Sequence, residues 1–403
     1  MKKPSLLIIF LSVFIDLVGF GIVMPLLPIY SKRFGANGAE IGMIIASFSI
    51  MQFLFAPAWG RLSDRIGRRP VILISNAGSA ISYALFAVAS TMTGQVGLWV
   101  LLASRLFAGI CGANLSVASA YIADISPPEK RTQKMGLIGM AFGFGFIFGP
   151  ALGAFTFARF GLPGPGWTAA AFCAANFLLG LVVLAESWKP ASEHAPTRPK
   201  MGQWLHILSR PTVGFVIGIY FLATFCFACF ESTFSLLVKE KFHYDESHAG
   251  YLFTYCGFLA AFIQAGLIGR LNQRFGERRL IFMSLVLLAI SLVLLPLVAT
   301  LPALLVVLAL FATGSGVNRP PTFGLISLQT PAAEQGATLG VAQSMASLAR
   351  IFAPLFANVL YASHAALPYL VCAGVALIAS LAAWQYLCRP EQTLPEGNVQ
   401  SAG

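Results

Sequence analysis

The apolar positions of this chain fall in long runs, and its polar positions in short clusters between them. About 20 mostly apolar residues suffice for a helix to span a bilayer. Twelve such runs are readable, at 5–29, 41–59, 71–91, 97–123, 135–158 and 167–186, then at 211–238, 248–269, 280–299, 302–327, 334–362 and 366–388. The stretch 187–210 between the two sets is rich in Pro and charge and reads as a linker. The pattern predicts an all-α, polytopic membrane protein with twelve transmembrane helices. A six-helix bundle occupies 1–186, a cytoplasmic linker 187–210, a second six-helix bundle 211–390, and a disordered tail 391–403.

Composition supports the pattern. Asp, Glu, Lys and Arg make up 10% of the 403 residues, against roughly 25% in soluble proteins, so the chain could not cover itself in polar surface. The formal charge of +11 would suit a nucleic acid if the basic residues formed one patch. Most of them instead occupy the N-terminus, the linker and the loops after the second, fourth, eighth and tenth runs. That asymmetry puts those loops and both termini on the cytoplasmic side. Met1-Lys2-Lys3 and the run behind it imitate a signal peptide. The run continues through Pro28 with no small-residue cleavage site, so it reads as a retained first span. The seven cysteines all lie in apolar runs. Cys226 and Cys229, although spaced C-x-x-C, read as packing residues. No metal-ligand cluster, phosphate-binding loop or catalytic constellation stands out, so neither a cofactor nor an enzyme activity is expected.

The two sets of runs are related to each other. The stretch GRLSDRIGRR at 60–69 aligns with GRLNQRFGER at 269–278, with Gln273 in place of Asp64. Phe148-Gly149-Pro150 is echoed by Phe352-Ala353-Pro354. Duplicated helical units are a transporter architecture, with the binding site near the midplane where the units meet. Gly60 and Gly67 are expected to permit a tight turn. Ser126-Pro127-Pro128-Glu129 reads as a capping box opening a short segment before the fifth run.

These residues carry a resemblance. Residues 60–69 fit the signature G-x-L-x-D-R-x-G-R-R/K that the major facilitator superfamily places between spans 2 and 3. Arg105 to Ala113 resembles its span 4 motif, R-x-x-x-G-x-x-x-A/G. Gly139, Gly143, Gly145, Gly149-Pro150 and Gly153 resemble the span 5 motif linked to antiport, and Asp16-x-x-Gly19-Phe20 with Pro25 and Pro28 resembles the span 1 motif. Over nearly its whole length the chain resembles the twelve-span drug/proton antiporter branch, which includes the tetracycline efflux proteins. The resemblance implies that helices 1 and 4 line the cavity, and that span 5 packs against span 8 and seals one side. It also implies a conformational latch of Gly60, Asp64, Arg65, Gly67, Arg68 and Arg69, in which Asp64 meets the start of span 11 near residues 330–335. Span 3 lacks the acidic residue expected from tetracycline exporters, and the interiors of spans 8 and 9 hold neither His nor Asp. A magnesium–tetracycline substrate therefore does not carry over.

Ionisable residues inside spans are costly and default to function. Asp16 is the candidate proton carrier, with Arg105 biasing its charge; a fixed structural pair is the alternative. Glu231 is a second protonation site, a cation-binding group, or a carboxylate reaching outer water. Arg319, beside Pro320-Pro321, binds an anionic group or snorkels, and Arg350 sits too deep to snorkel easily. Asn114, Gln264 and Gln343, like Gln52 and Asn358, suit either cavity contact or helix–helix hydrogen bonding. Phe230 belongs to an aromatic set that would suit hydrophobic ligands.

The expected function is secondary active transport: efflux of small hydrophobic or amphipathic compounds, such as drugs, in exchange for protons. The proton gradient would drive it, and a monomer would suffice. A proton-coupled uptake symporter, a sugar- or lipid-type carrier, and a non-transporting membrane receptor are the alternatives.

Overall fold

The computed structural model describes residues 4–112, 114–126, 131–187, 201–331 and 334–388. Residues 127–129 of the expected capping box and the 391–403 tail lie outside the described residues. Each apolar run becomes a helix, because a chain in lipid must satisfy its backbone polar groups internally. α1 (Leu6–Val23) passes through a 3₁₀ turn at Met24–Leu26 into α2 (Leu27–Arg33), where Pro25 and Pro28 remove backbone donors. A capping box starts α3 (Gly38–Ile66): the Glu40 N–H donates to Asn37 at 3.0 Å and the Asn37 N–H to Glu40 at 2.8 Å.

α3 runs on through residues 60–66. Gly60 is therefore helical, contrary to the expected turn, and the chain reverses at Gly67 alone (φ 100°, ψ 163°), a backbone conformation that favours glycine. α4 (Arg68–Thr91) begins at once. The fourth span is two helices, α5 (Gly94–Cys111) and α6 (Asn114–Asp124), with the break after Cys111. α7 (Arg131–Phe160) and α8 (Pro163–Val183) complete the first half. The end of the linker is helical, as α9 (Met201–Ser209).

The second half comprises α10 (Pro211–Phe242), α11 (Glu246–Phe262), α12 (Ile268–Leu294), α13 (Leu301–Leu328), α14 (Gln335–Ser363) and α15 (Leu367–Ala383). A π-helical turn at Ile263–Leu267 joins α11 to α12. Gly276 (φ 73°, ψ 161°) then breaks α12, so its two parts serve spans 8 and 9. Gly276 is the repeat partner of Gly67, and the duplicated stretch thus keeps the same backbone conformation at the same place. Among the described residues, ten helical stretches are long and apolar enough to cross a membrane. The kinked pair α11–α12 supplies the remaining two spans.

The bundle has two ends. The basic end carries residues 60–69 and 270–279; the far end carries the turns at 34–37, 243–245 and 364–366. At the far end the two halves share one core, in which Leu26 and Tyr30 join Phe230, Phe234, Ala353 and Ala357. Glycines allow this closeness. A Cβ on Gly38 or Gly42 of α3 would meet the Asn358 or Pro354 carbonyl of α14 at 2.3 or 2.6 Å. One on Gly250 or Gly257 of α11 would meet the Pro150 or Phe146 carbonyl of α7 at 2.9 or 2.6 Å. Lys32 pairs with Glu240 across the halves there, and Tyr361 donates to the same carboxylate at 2.8 Å. Towards the basic end, Gly143, Gly266, Gly269 and Gly340 face open space.

The span 5 glycines do something other than expected. Gly145, Gly149 and Gly153 abut Leu17, Gly21 and Ile22 of α1, within their own half. α7 does pack on span 8, but span 8 contributes the glycines of that contact. In the matching contact of the second half, Gly38 and Gly42 bring α3 close to α14, where Ala353 and Ala357 are buried.

Candidate functional site

Between the halves lies a cavity of about 1120 Å³, counted with the solvent open to it. Its walls are mostly aromatic and small: Phe142 and Phe146 from α7, Phe227 and Phe230 from α10, Phe253 from α11, and Phe311 from α13. The rings hold one another. Phe230 lies 3.9 Å from Phe311 and 4.6 Å from Phe234 between centroids, and Phe253 meets Phe230 edge-on at 5.9 Å. Polar lining comes from Gln264, Asn318, Arg319 and Arg350. Asn318 is fixed by donating to Ser284 at 2.9 Å. An apolar cavity with a few placed polar groups is what a small amphipathic ligand needs.

A narrower polar pocket adjoins it in the first half. Asp16, Phe20, Gln52, Ser79 and Tyr83 line it, together with Phe142 and Arg350. Arg350 therefore reaches from α14 of the second half into both spaces. Arg105 is buried behind this pocket, beside Tyr83 and 4.8 Å over the Phe48 ring. Gln52 donates to the Gly112 carbonyl at 2.9 Å, which ties α3 to the break in span 4.

Glu231 occupies the stripe of α10 that carries Phe227 and Phe234, where the far end is closed. It is buried, so outer water does not reach it, and its Oε1 has no hydrogen-bond partner. Gln343 stands apart, exposed on α14 and outside the cavity lining. The Asn114 side chain lies outside the described residues. Neither sequence pattern nor spacing pointed to Phe142, whose ring lies within 6 Å of both Arg319 and Arg350.

Among the described residues, the 60–69 stretch joins a network with α6 and the end of the first half. Asp64 pairs with Arg68 across the reversal at Gly67, and Arg68 also donates to Asp124 at 3.0 Å and to Ser63 at 2.7 Å. The Glu186 carboxylate accepts the backbone N–H groups of Arg68 at 2.8 Å and Arg69 at 3.1 Å. It thereby caps α4, where the positive end of the helix dipole favours an anion. No motif or spacing pointed to Glu186, which is distant in the chain. Of the segment expected to meet Asp64, residues 332 and 333 lie outside the described residues.

Comparison with known proteins matches this architecture. The family model of the Major Facilitator Superfamily matches residues 9–265 and 216–402. The class E tetracycline resistance protein of Escherichia coli is 34% identical, covering 87% of this chain and 86% of that protein. The class C protein of the same organism is 32% identical, covering 91% and 92%. The crystal structure of the human organic anion transporter MFSD10 (TETRAN) superposes with a TM-score of 0.69 at 27% identity, covering 94% of this chain and all of that one. Two duplicated helical halves, the signature stretch between spans 2 and 3, a cavity between the halves and these relatives agree: the chain belongs to the major facilitator superfamily and is a multi-pass membrane transporter.

Proposed function

We propose that the protein exports small hydrophobic or amphipathic compounds in exchange for protons, by alternating access of the central cavity. The observation that carries this reading is the aromatic cavity between the halves, with ionisable residues at its edges; both halves share one core at the far end and have separate cores at the basic end. The basic end is cytoplasmic by its charge, so the conformation described is inward-open and ready to load from inside a bacterial cell. Both termini then lie in the cytoplasm. Asp16 and Glu231 carry the protons, because a buried carboxylate changes charge as its access to water and to Arg350 changes. The proton gradient is the energy source, and one chain holds a complete transporter that needs no cofactor. The similarity to tetracycline resistance proteins supports export of drug-like compounds.

The two cavity arginines favour a second reading, in which the substrate is an organic anion that travels with protons. The organic anion transporter among the structural neighbours supports it.

The test is transport in inverted membrane vesicles, with a susceptibility panel in a strain stripped of its own exporters. Export predicts substrate uptake that dissipates an imposed proton gradient, and a loss of at least tenfold in flux for Asp16→Asn. Substrate moving in the direction of the proton would sink exchange. Full flux in the variant would remove Asp16 from the coupling.

A further inference from the structure

Phe142 belongs to the first half, yet two guanidinium groups of the second half lie over its ring. Arg319 is 5.9 Å and Arg350 5.6 Å from the centroid, within the range of cation–π attraction. Among the described residues neither arginine forms an ion pair, and the buried Nε of Arg350 has no hydrogen-bond partner. Two cations in a cavity wall without a counter-ion are costly, so this wall suits an anionic group attached to a flat apolar body.

Arg350 has a second relationship. It shares the narrow pocket with Asp16, and its helix packs on α10 close to Glu231, where the Cys229 thiol lies 3.6 Å from the Ala353 carbonyl. One cation thus stands close to a carboxylate of each half and lines the space that a ligand would enter. Around Asp16 the other ionisable side chains are Tyr83, Arg105, Cys111 and Cys173. The helices around Glu231 contribute Cys256, Arg319, Tyr369 and Cys372, while Lys32 and Glu240 pair with each other at the far end. Phenols and thiols stay neutral and arginines stay charged near pH 7. The two carboxylates are the groups left to titrate.

We propose that Arg350 makes the direction of proton movement depend on substrate charge. An anion docked on Arg319 and Arg350 neutralises positive charge beside Asp16 and Glu231, so these carboxylates take up protons as the anion binds. A cation in the same cavity favours the ionised carboxylates and drives protons off. The proposal rests on the proton-coupled reading above and deepens it: the same site exchanges protons for cations and carries protons along with organic anions.

The test uses purified full-length protein in weakly buffered solution near pH 7, with two probes of permanent charge, a naphthalene sulfonate and tetraphenylphosphonium. Wild type should take up protons on binding the sulfonate and release them on binding the phosphonium. Linkage then requires sulfonate affinity to fall with rising pH, by up to about tenfold per pH unit for each proton coupled. Arg350→Gln should weaken sulfonate binding tenfold or more and abolish its proton uptake. Arg350→Lys keeps the charge and should keep the sign, which separates charge from packing. Glu231→Gln and Asp16→Asn should each reduce the proton count and flatten the pH dependence of sulfonate affinity. Equal proton movement for both probes, or unchanged sulfonate binding in Arg350→Gln, would overturn the proposal. Opposite proton signs without net flux in vesicles would support it while removing the transport reading. Coupled flux that ignores probe charge would do the reverse.

Discussion

At the scale of single residues, two carboxylates hold helix starts in place. Glu186 receives two backbone N–H groups at the head of α4. Glu186→Ala should cost about 1 kcal/mol of stability and Glu186→Gln less, since the amide oxygen can still accept; thermal unfolding in detergent measures both. Asp245 caps α11, accepting the His248 N–H at 2.9 Å and lying 2.6 Å from the His248 ring. Partial burial pushes the Asp245 carboxyl up, but the hydrogen bonds and charge of His248 outweigh this and hold it below the usual carboxylate range. A depressed carboxylate stabilises the fold fully above its unfolded-state value, and the contribution disappears as pH falls through the lowered folded value. Wild type should therefore lose stability on acidification through the carboxylate range more steeply than Asp245→Asn does, as read by unfolding temperature against pH. The reverse order would remove the cap from the account.

At the scale of elements, glycine placement decides how closely helices approach. Apolar runs were readable as helices because each is long enough to cross a bilayer and has little charge. The repeat was readable because Gly67 and Gly276 answer the same backbone need. The partner of each glycine was not readable. Which face of α7 carries Gly145, Gly149 and Gly153, and what lies opposite, depends on helix rotation and on the register between halves, and neither is encoded locally. The same limit hid the reach of Arg350 into the first half and the role of Phe142 beside it. Gly257 now gives a specific expectation. A side chain there would drive into the Phe146 backbone, since even a Cβ would sit 2.6 Å from its carbonyl oxygen. Overpacking of about 1–3 kcal/mol in Gly257→Leu should open the far end. Spin labels at positions 93 and 300 should report a longer distance than in the parent; an unchanged distance would mean that α7 and α11 yield without parting.

At the scale of the whole molecule, the far end is one core shared by both halves, while the basic end gapes. Lys32 and Glu240, with Tyr361, form the polar contact across that closed end. Both charged groups are substantially exposed, so the pair is worth about 0.2–1 kcal/mol. Glu240→Gln should therefore shift the closed-to-open ratio by no more than about fivefold, whereas a buried ion pair would shift it far more. Exchanging the charges, with Lys32→Glu and Glu240→Lys together, should restore the ratio, and the same labelled positions measure it.

The ring between the two arginines has a practical consequence. Phe142 sits on one half and its two guanidinium neighbours on the other, so any rocking that closes the basic end must change their separation. An indole at that position would sense the change as light. Phe142→Trp should give emission that depends on conformation, because cations close to an indole alter its brightness and colour. Read against the parent protein's six native tryptophans, that signal would time the opening and closing of the molecule without any attached dye.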